Sequence, residues 1–170
     1  MKAEASTLQK TIISVRQLLA DQDLVIPQYQ RPYKWTNRHV TQLFSDIAAF
    51  RDKTSYRLGT IVFHLDCHQK NIVDGQQRTI TLMLAVHALI RRYRVKRMER
   101  KDLREQLNEL ERKMAIPRFE SDISKANIHA NYLEIDRIIN RTDFDEEQIN
   151  FLLNRCEVVT FTLTDISEAF

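Results

Sequence analysis

Apolar and polar positions along this chain change period several times, and each change marks an element. Val40, Leu43, Phe44 and Ile47 recur at three- and four-residue spacing, the buried face of a helix that Thr36 can cap and that runs to about Lys53. Residues 11–20 read as a shorter helix with Ile12, Val15 and Leu19 on one side. Residues 23–26 predict a strand, and residues 56–65 and 70–73 a hairpin joined near 66–69. The apolar run 79–90 belongs to a helix that begins near Gln76 and extends into the 91–101 region, with Leu82, Val86, Leu89 and Tyr93 along one side. Residues 102–114 continue as a charged helix that Pro117 breaks. Residues 130–140 and 145–153 predict further helices, and residues 156–163 alternate in a β-rich pattern. The fold class that follows is α+β. A small mixed sheet with packed helices has most of its strands before residue 75, one near the C-terminus, and a helical insert over about 95–153.

Composition narrows the function classes. At 170 residues, one domain is the natural expectation, and a hydrophobic fraction of 43% can build its core. With 29% charged residues and a mean hydropathy of −0.43, the chain has the profile of a soluble protein without a disorder signature. Residues 1–10 hold no apolar signal-peptide region, and the apolar stretch 82–90 is too short for a bilayer and is interrupted by His87. Cys67 and Cys156 form no pair motif, so a reducing cytoplasm is the expected setting. A net charge of +3 permits contact with nucleic acid without demanding it.

Both glycines sit in segments that read as parts of a site. Gly75 lies in Ile72-Val73-Asp74-Gly75-Gln76-Gln77-Arg78, an apolar strand, a tight turn and a helix start. The first turn of a helix leaves backbone N–H groups without intrahelical partners, and the helix dipole adds positive potential there, so phosphate binds readily. Arg78 adds a planar fork for phosphate, and Asp74 a carboxylate for a metal ion or a polarised water. The plainer alternative is a strand–turn–helix corner with solvated side chains. The segment Ile26-Pro27-Gln28-Tyr29-Gln30-Arg31-Pro32-Tyr33-Lys34-Trp35 holds two of the three prolines and the only tryptophan. Prolines push the preceding residue toward extended geometry, which sets Tyr29, Arg31, Tyr33 and Trp35 on one face and Gln28, Gln30 and Lys34 on the other. An arginine among aromatic rings suits a flat base or a phosphate. Alternatively the aromatics are core and a carboxylate holds Arg31.

Together these two segments resemble the N-terminal domain of GmrSD-type modification-dependent restriction proteins, whose fold is related to ParB and sulfiredoxin. The resemblance rests on Ile26 to Trp35, on Leu58-Gly59 within a strand, and on Asp74-Gly75-Gln76-Gln77-Arg78 opening a helix, and runs from about Ile12 to the C-terminus. Thr79-Ile80 departs from a Leu-Thr pair that is common in the family. The resemblance implies a cytoplasmic, nucleotide-binding and NTP-hydrolysing sensor domain of an anti-phage DNA restriction system. In that reading the triphosphate, with Mg²⁺, rests on the helix start. Arg78, with Arg31, neutralises developing charge, Asp74 holds Mg²⁺ or orients water, and Gln76 or Gln77 positions the attacking water. Gly75, Tyr29, Tyr33 and Trp35 complete the nucleotide site. The resemblance also implies an N-terminal part of a longer protein, acting with a C-terminal effector region or a nuclease partner. A non-catalytic DNA-binding module and a partner-docking domain are the other two readings.

The remaining candidates are weaker. His64, Asp66 and His68 would share a strand face as metal ligands, although their hairpin position favours a solvated turn. Arg91, Arg92, Arg94, Lys96 and Arg97 lie in a basic run that suits a nucleic-acid backbone or simply a solvated helix face. Asp143, Asp145, Glu146 and Glu147 read as acids at a helix start.

Overall fold

A computed structural model describes residues 8–27, 32–114 and 122–164. In chain order the elements are β1 (Leu8–Ser14), α1 (Val15–Leu19), β2 (Leu24–Val25), α2 (Asn37–Ala49), β3 (Tyr56–Asp66), β4 (Gln69–Asp74) and α3 (Gln76–Val95). There follow α4 (Lys101–Lys113), α5 (Asp122–Ile139), α6 (Glu146–Asn150), one turn of π-helix (Phe151–Arg155) and β5 (Cys156–Leu163). The five strands form one mixed sheet in the order β1-β5-β3-β4-β2. β5 lies antiparallel to β1 and parallel to β3, while β4 lies antiparallel to β3 and parallel to β2. The fold is therefore α+β, with helices α3 to α6 intervening between the hairpin β3–β4 and the strand that joins its open side.

The core explains this order. Val40, Leu43, Phe44 and Ile47 are all buried, as the spacing along α2 predicts. α3 is more enclosed than its predicted single apolar side, for every residue from Thr79 to Ile90 except His87 is buried. A helix apolar on all sides needs covering on all sides. Helices α4, α5 and α1 pack around it.

Several boundaries differ from the sequence reading, each for a local reason. The helix expected over residues 11–20 forms only from Val15 to Leu19, and its first four positions belong to strand β1. Thr11, Ile12 and Ile13 pair with Thr160, Val159 and Val158 of β5, where β-branched side chains are favoured. The helix starts only after Ser14, whose hydroxyl accepts the Gln17 N–H at 3.1 Å while the Gln17 side chain accepts the Ser14 N–H at 2.9 Å. The helix expected to run from Gln76 through the 91–101 region ends at Val95, and α4 starts afresh at Lys101. Between them Met98 turns into the core, 1% exposed, and the Glu99 and Arg100 N–H groups donate to the Glu146 carboxylate at 2.9 and 2.8 Å. No glycine or proline marks this break. α5 begins at Asp122, well before the expected 130, and the expected 145–153 helix is short α6 followed by the π-turn. Pro117 lies outside the described residues.

Cys156 closes the core at the start of β5, and burial, then neighbouring Glu157, pushes its thiol from an ordinary 9.0 up to about 12. The neutral thiol is retained in the folded chain while the unfolded chain ionises, so its stabilising contribution is complete below about pH 9 and is lost as pH rises toward 12. Thiol labelling at pH 8 should modify exposed Cys67 quickly and Cys156 only at the rate of unfolding, and labelling of both at equal rates would contradict this packing.

Candidate functional site

The hairpin strand β4 ends at Asp74, and Gly75 makes the corner into α3. Gly75 has φ 97° and ψ 14°, the left-handed region where a side chain is strained. A Cβ there would sit 2.9 Å from Ile61 Cγ1 and 3.1 Å from the Thr60 carbonyl oxygen, so the turn is pressed against β3 as well. The tight turn read from the sequence is there, and its backbone suits glycine. The Thr79 N–H donates to the Gly75 oxygen at 3.1 Å, and the Thr79 hydroxyl donates to the same oxygen at 2.9 Å. The preceding N–H groups of Gln77 and Arg78 have no acceptor among the described residues. They are the free donors of the helix end.

Arg78 lies over the other glycine. A Cβ at Gly59 would meet Arg78 Nη1 at 2.5 Å, so the guanidinium occupies space that only glycine leaves open. Gly59 sits at φ 153°, at an irregularity in the pairing of β3 with β5. The other side of the guanidinium faces Trp35, whose ring centroid is 6.0 Å away. Arg78 Nε is buried without a hydrogen-bond partner, and no carboxylate among the described residues pairs with this arginine. Trp35, Val73, Asp74, Gly75, Gln76, Gln77 and Arg78 together line a pocket of 210 Å³. Asp74 stands exposed at its rim.

The two glutamines are not free arms. Gln77 Oε1 accepts from the N–H groups of Lys34 and Trp35 at 2.8 and 3.2 Å, and its Nε2 donates to the Pro32 carbonyl at 3.1 Å. Gln76 is 6% exposed, and its Nε2 donates to the Ile72 carbonyl at 3.1 Å. Both amides hold backbone. The expected shared face of the proline segment is corrected. Trp35 reaches the pocket, but Tyr33 is fully buried, its hydroxyl 2.7 Å from Thr81 Oγ1 and accepting from Asn131 Nδ2 at 2.9 Å. Burial raises the Tyr33 phenol above its ordinary value, against the lowering effect of those two bonds. Tyr29 and Arg31 lie outside the described residues.

Sequence reasoning missed the partners of this segment on α5. Ser124 Oγ accepts the Tyr33 N–H at 2.8 Å, Asn127 Nδ2 donates to the Tyr33 carbonyl at 2.9 Å, and Asn131 Nδ2 donates to the Trp35 carbonyl at 2.7 Å. Their spacing of three and four residues is the signal that could have revealed them, a polar stripe on a helix face turned inward.

The basic run is only partly available to a partner. Arg92 donates to the Ile139 carbonyl and Arg94 pairs with Glu111. Arg91 is exposed but leans on Tyr132, donating to its hydroxyl at 3.3 Å. Lys96 and Arg97 are exposed and form no ion pair among the described residues. Among the described residues no cluster of three His, Cys, Asp or Glu side chains could hold a metal, and Cys67 and His68 form the hairpin turn. None of the described helices is long and apolar enough to cross a membrane.

A family model described as GmrSD restriction endonuclease, N-terminal domain, matches residues 15–170. The chain belongs to that family. No curated protein matches it.

Gly75→Ala should lose about 1–3 kcal/mol in urea denaturation through backbone strain and the contact with Ile61. An unchanged midpoint would contradict the corner geometry. Gln77→Leu leaves the Pro32, Lys34 and Trp35 backbone groups without their partner. It should destabilise the fold by about 1–3 kcal/mol and shift the emission of the lone tryptophan, whereas an unmoved spectrum would show that the segment is held by other contacts.

Proposed function

We propose that this domain, a member of a restriction endonuclease family, binds the phosphates of a nucleoside triphosphate at the α3 corner and hydrolyses it as the sensor part of an anti-phage DNA restriction system. One observation carries the reading: Arg78 is a partly buried cation with an unpartnered Nε–H, no carboxylate partner among the described residues, and a place beside the free N–H groups of a helix end. Cations buried without partners are costly, and an anion at that spot would satisfy the arginine and the helix together. At 210 Å³ the pocket is smaller than the roughly 300–1,000 Å³ of sites that enclose a whole small molecule. It suits the phosphate end of a nucleotide, with Trp35 as a wall beside it.

In this reading Arg78 and the N–H groups of Gln77 and Arg78 hold phosphate oxygens and stabilise the charge that develops on them. Asp74, exposed at the pocket rim, fits the habit of Mg²⁺, which takes one or two carboxylates together with substrate phosphates. The metal would supply further charge neutralisation. Gln77 acts at one remove, by fixing Trp35 against the pocket. Exposed Lys96 and Arg97, with Arg91, support the alternative of a DNA-contacting module without catalysis. Phosphate release by purified protein with Mg²⁺ and each nucleoside triphosphate, set beside DNA binding over a salt series, separates the two.

Arg78→Ala should weaken triphosphate binding about ten- to a hundred-fold, the value of a charge-assisted hydrogen bond, while the melting temperature stays within a few degrees. Calorimetry and thermal denaturation check both halves, and wild-type affinity in a stable variant would remove the phosphate-site reading. Gly59→Ala keeps the arginine but intrudes on its head, so its binding loss should approach that of Arg78→Ala. Nucleotide should also shift the fluorescence of Trp35 in the parent protein, since the ring lines the same pocket.

A further inference from the structure

A second cleft, away from the α3 corner, lies between α2, the end of α5 and α6. Its volume is 510 Å³, within the roughly 300–1,000 Å³ typical of small-molecule sites. Phe44 and Phe144 form an aromatic wall, their ring centroids 6.1 Å apart and their planes tilted by 58°. Gln148 lines the same cleft and is 2% exposed, with Oε1 buried and unpartnered. Its amide nitrogen makes no hydrogen bond among the described residues either. Buried carboxamides are bonded in the great majority of proteins, and leaving one unpaired costs about 1–3 kcal/mol. The terminal amide torsion has two broad, nearly equivalent settings, so either end can turn toward the cleft.

The cations at the cleft differ from each other. Arg51 is tied to the Asp145 carboxylate at 3.0 Å. Arg141 is exposed and forms no ion pair among the described residues. Asp143 also lines the cleft, which limits the anionic charge a ligand can bring.

We propose that this cleft binds a planar heterocycle with a hydrogen-bond donor beside an acceptor and a single anionic group, of which an adenine mononucleotide is the simplest example. A glutamine amide pairs through both its ends with such an edge, as with N6–H and N7 of adenine. The base lies against the Phe44–Phe144 wall with its edge on Gln148, and the phosphate turns out to Arg141. This site is separate from the triphosphate pocket and does not depend on it.

Calorimetry with AMP tests the assignment, using both the unaltered chain and Arg78→Ala so that the α3 corner is out of play. AMP should bind with a Kd below about 1 mM in both proteins. Gln148→Leu should weaken it at least about ten-fold, the scale of a lost bidentate contact. 7-Deaza-AMP, which lacks the N7 acceptor, should be similarly weaker on the unaltered chain, a comparison that holds even if the variant folds poorly. Arg141→Ala should weaken AMP but leave adenosine unchanged. Absence of AMP binding at several millimolar overturns the proposal. So does equal binding of AMP and 7-deaza-AMP, or a Gln148→Leu protein that melts higher and binds AMP as before, the behaviour of an amide that merely lacks a partner.

Discussion

An extended segment with no neighbouring strand sets the terms for the rest of this molecule. Residues 32–36 belong to no strand; Tyr33 is fully buried while Lys34 and Thr36 are exposed, and backbone polar groups beside a buried residue must find partners or forfeit their hydration. Side chains supply them from two helices. Gln77 on α3 serves Pro32, Lys34 and Trp35, while Ser124, Asn127 and Asn131 on α5 serve Tyr33 and Trp35. The buried Tyr33 hydroxyl then joins Thr81 of α3 to Asn131 of α5, and Thr81 donates onward to the Gln77 carbonyl at 2.8 Å. A network of this kind stabilises only when it is complete, so it fixes the relative position of both helices and of the segment between them.

That fixed position is what creates the pocket. Trp35 stacks on His39 of α2, with centroids 5.3 Å apart, and cannot move from the wall without disturbing Gln77 or Asn131. On the opposite side two glycines shape the sheet around one arginine. Gly75 lets the chain turn sharply from β4 into α3, and Gly59 leaves the hollow in β3 where the Arg78 head lies. A chain with only these two glycines uses both at a single site.

Much of this was legible in the sequence because period and punctuation carry it. The four apolar positions of α2, the span of β5 and the conformation of Gly75 follow from spacing, alternation and one turn residue. What could not be read depends on contacts distant in sequence. Residues 8–14 carry no alternation that decides between strand and helix, and pairing with β5 decides it. The break at residues 96–100 is set by Met98 entering the core and by Glu146, nearly fifty residues on, accepting two N–H groups. The glutamines of the Asp-Gly-Gln-Gln-Arg motif looked like reactive arms, because a sequence shows their hydrogen-bonding capacity but not the backbone that occupies it. Tyr33 misled in the same way: alternation put it beside Trp35, whereas the polar stripe of α5 draws it inward.

The distribution of positive charge gives the last constraint. Arg51, Arg94, Arg100 and Arg137 all have carboxylate partners, and Arg92 has a carbonyl. These arginines are parts of the fold, and their charge is answered where it stands. Arg78 is different: its Nε is buried and unpartnered, as is that of Arg155, no acid among the described residues meets it, and it alone of the two lines the pocket at the α3 corner. Asp74, the acid of the same turn, is directed to the rim instead of closing an ion pair with Arg78. An ion pair there would have been the simplest way to neutralise the corner, and it would have filled the pocket with the protein's own carboxylate. Keeping the two charges apart leaves a positive floor and a negative rim, the polarity that a phosphate bridged to a divalent cation would match.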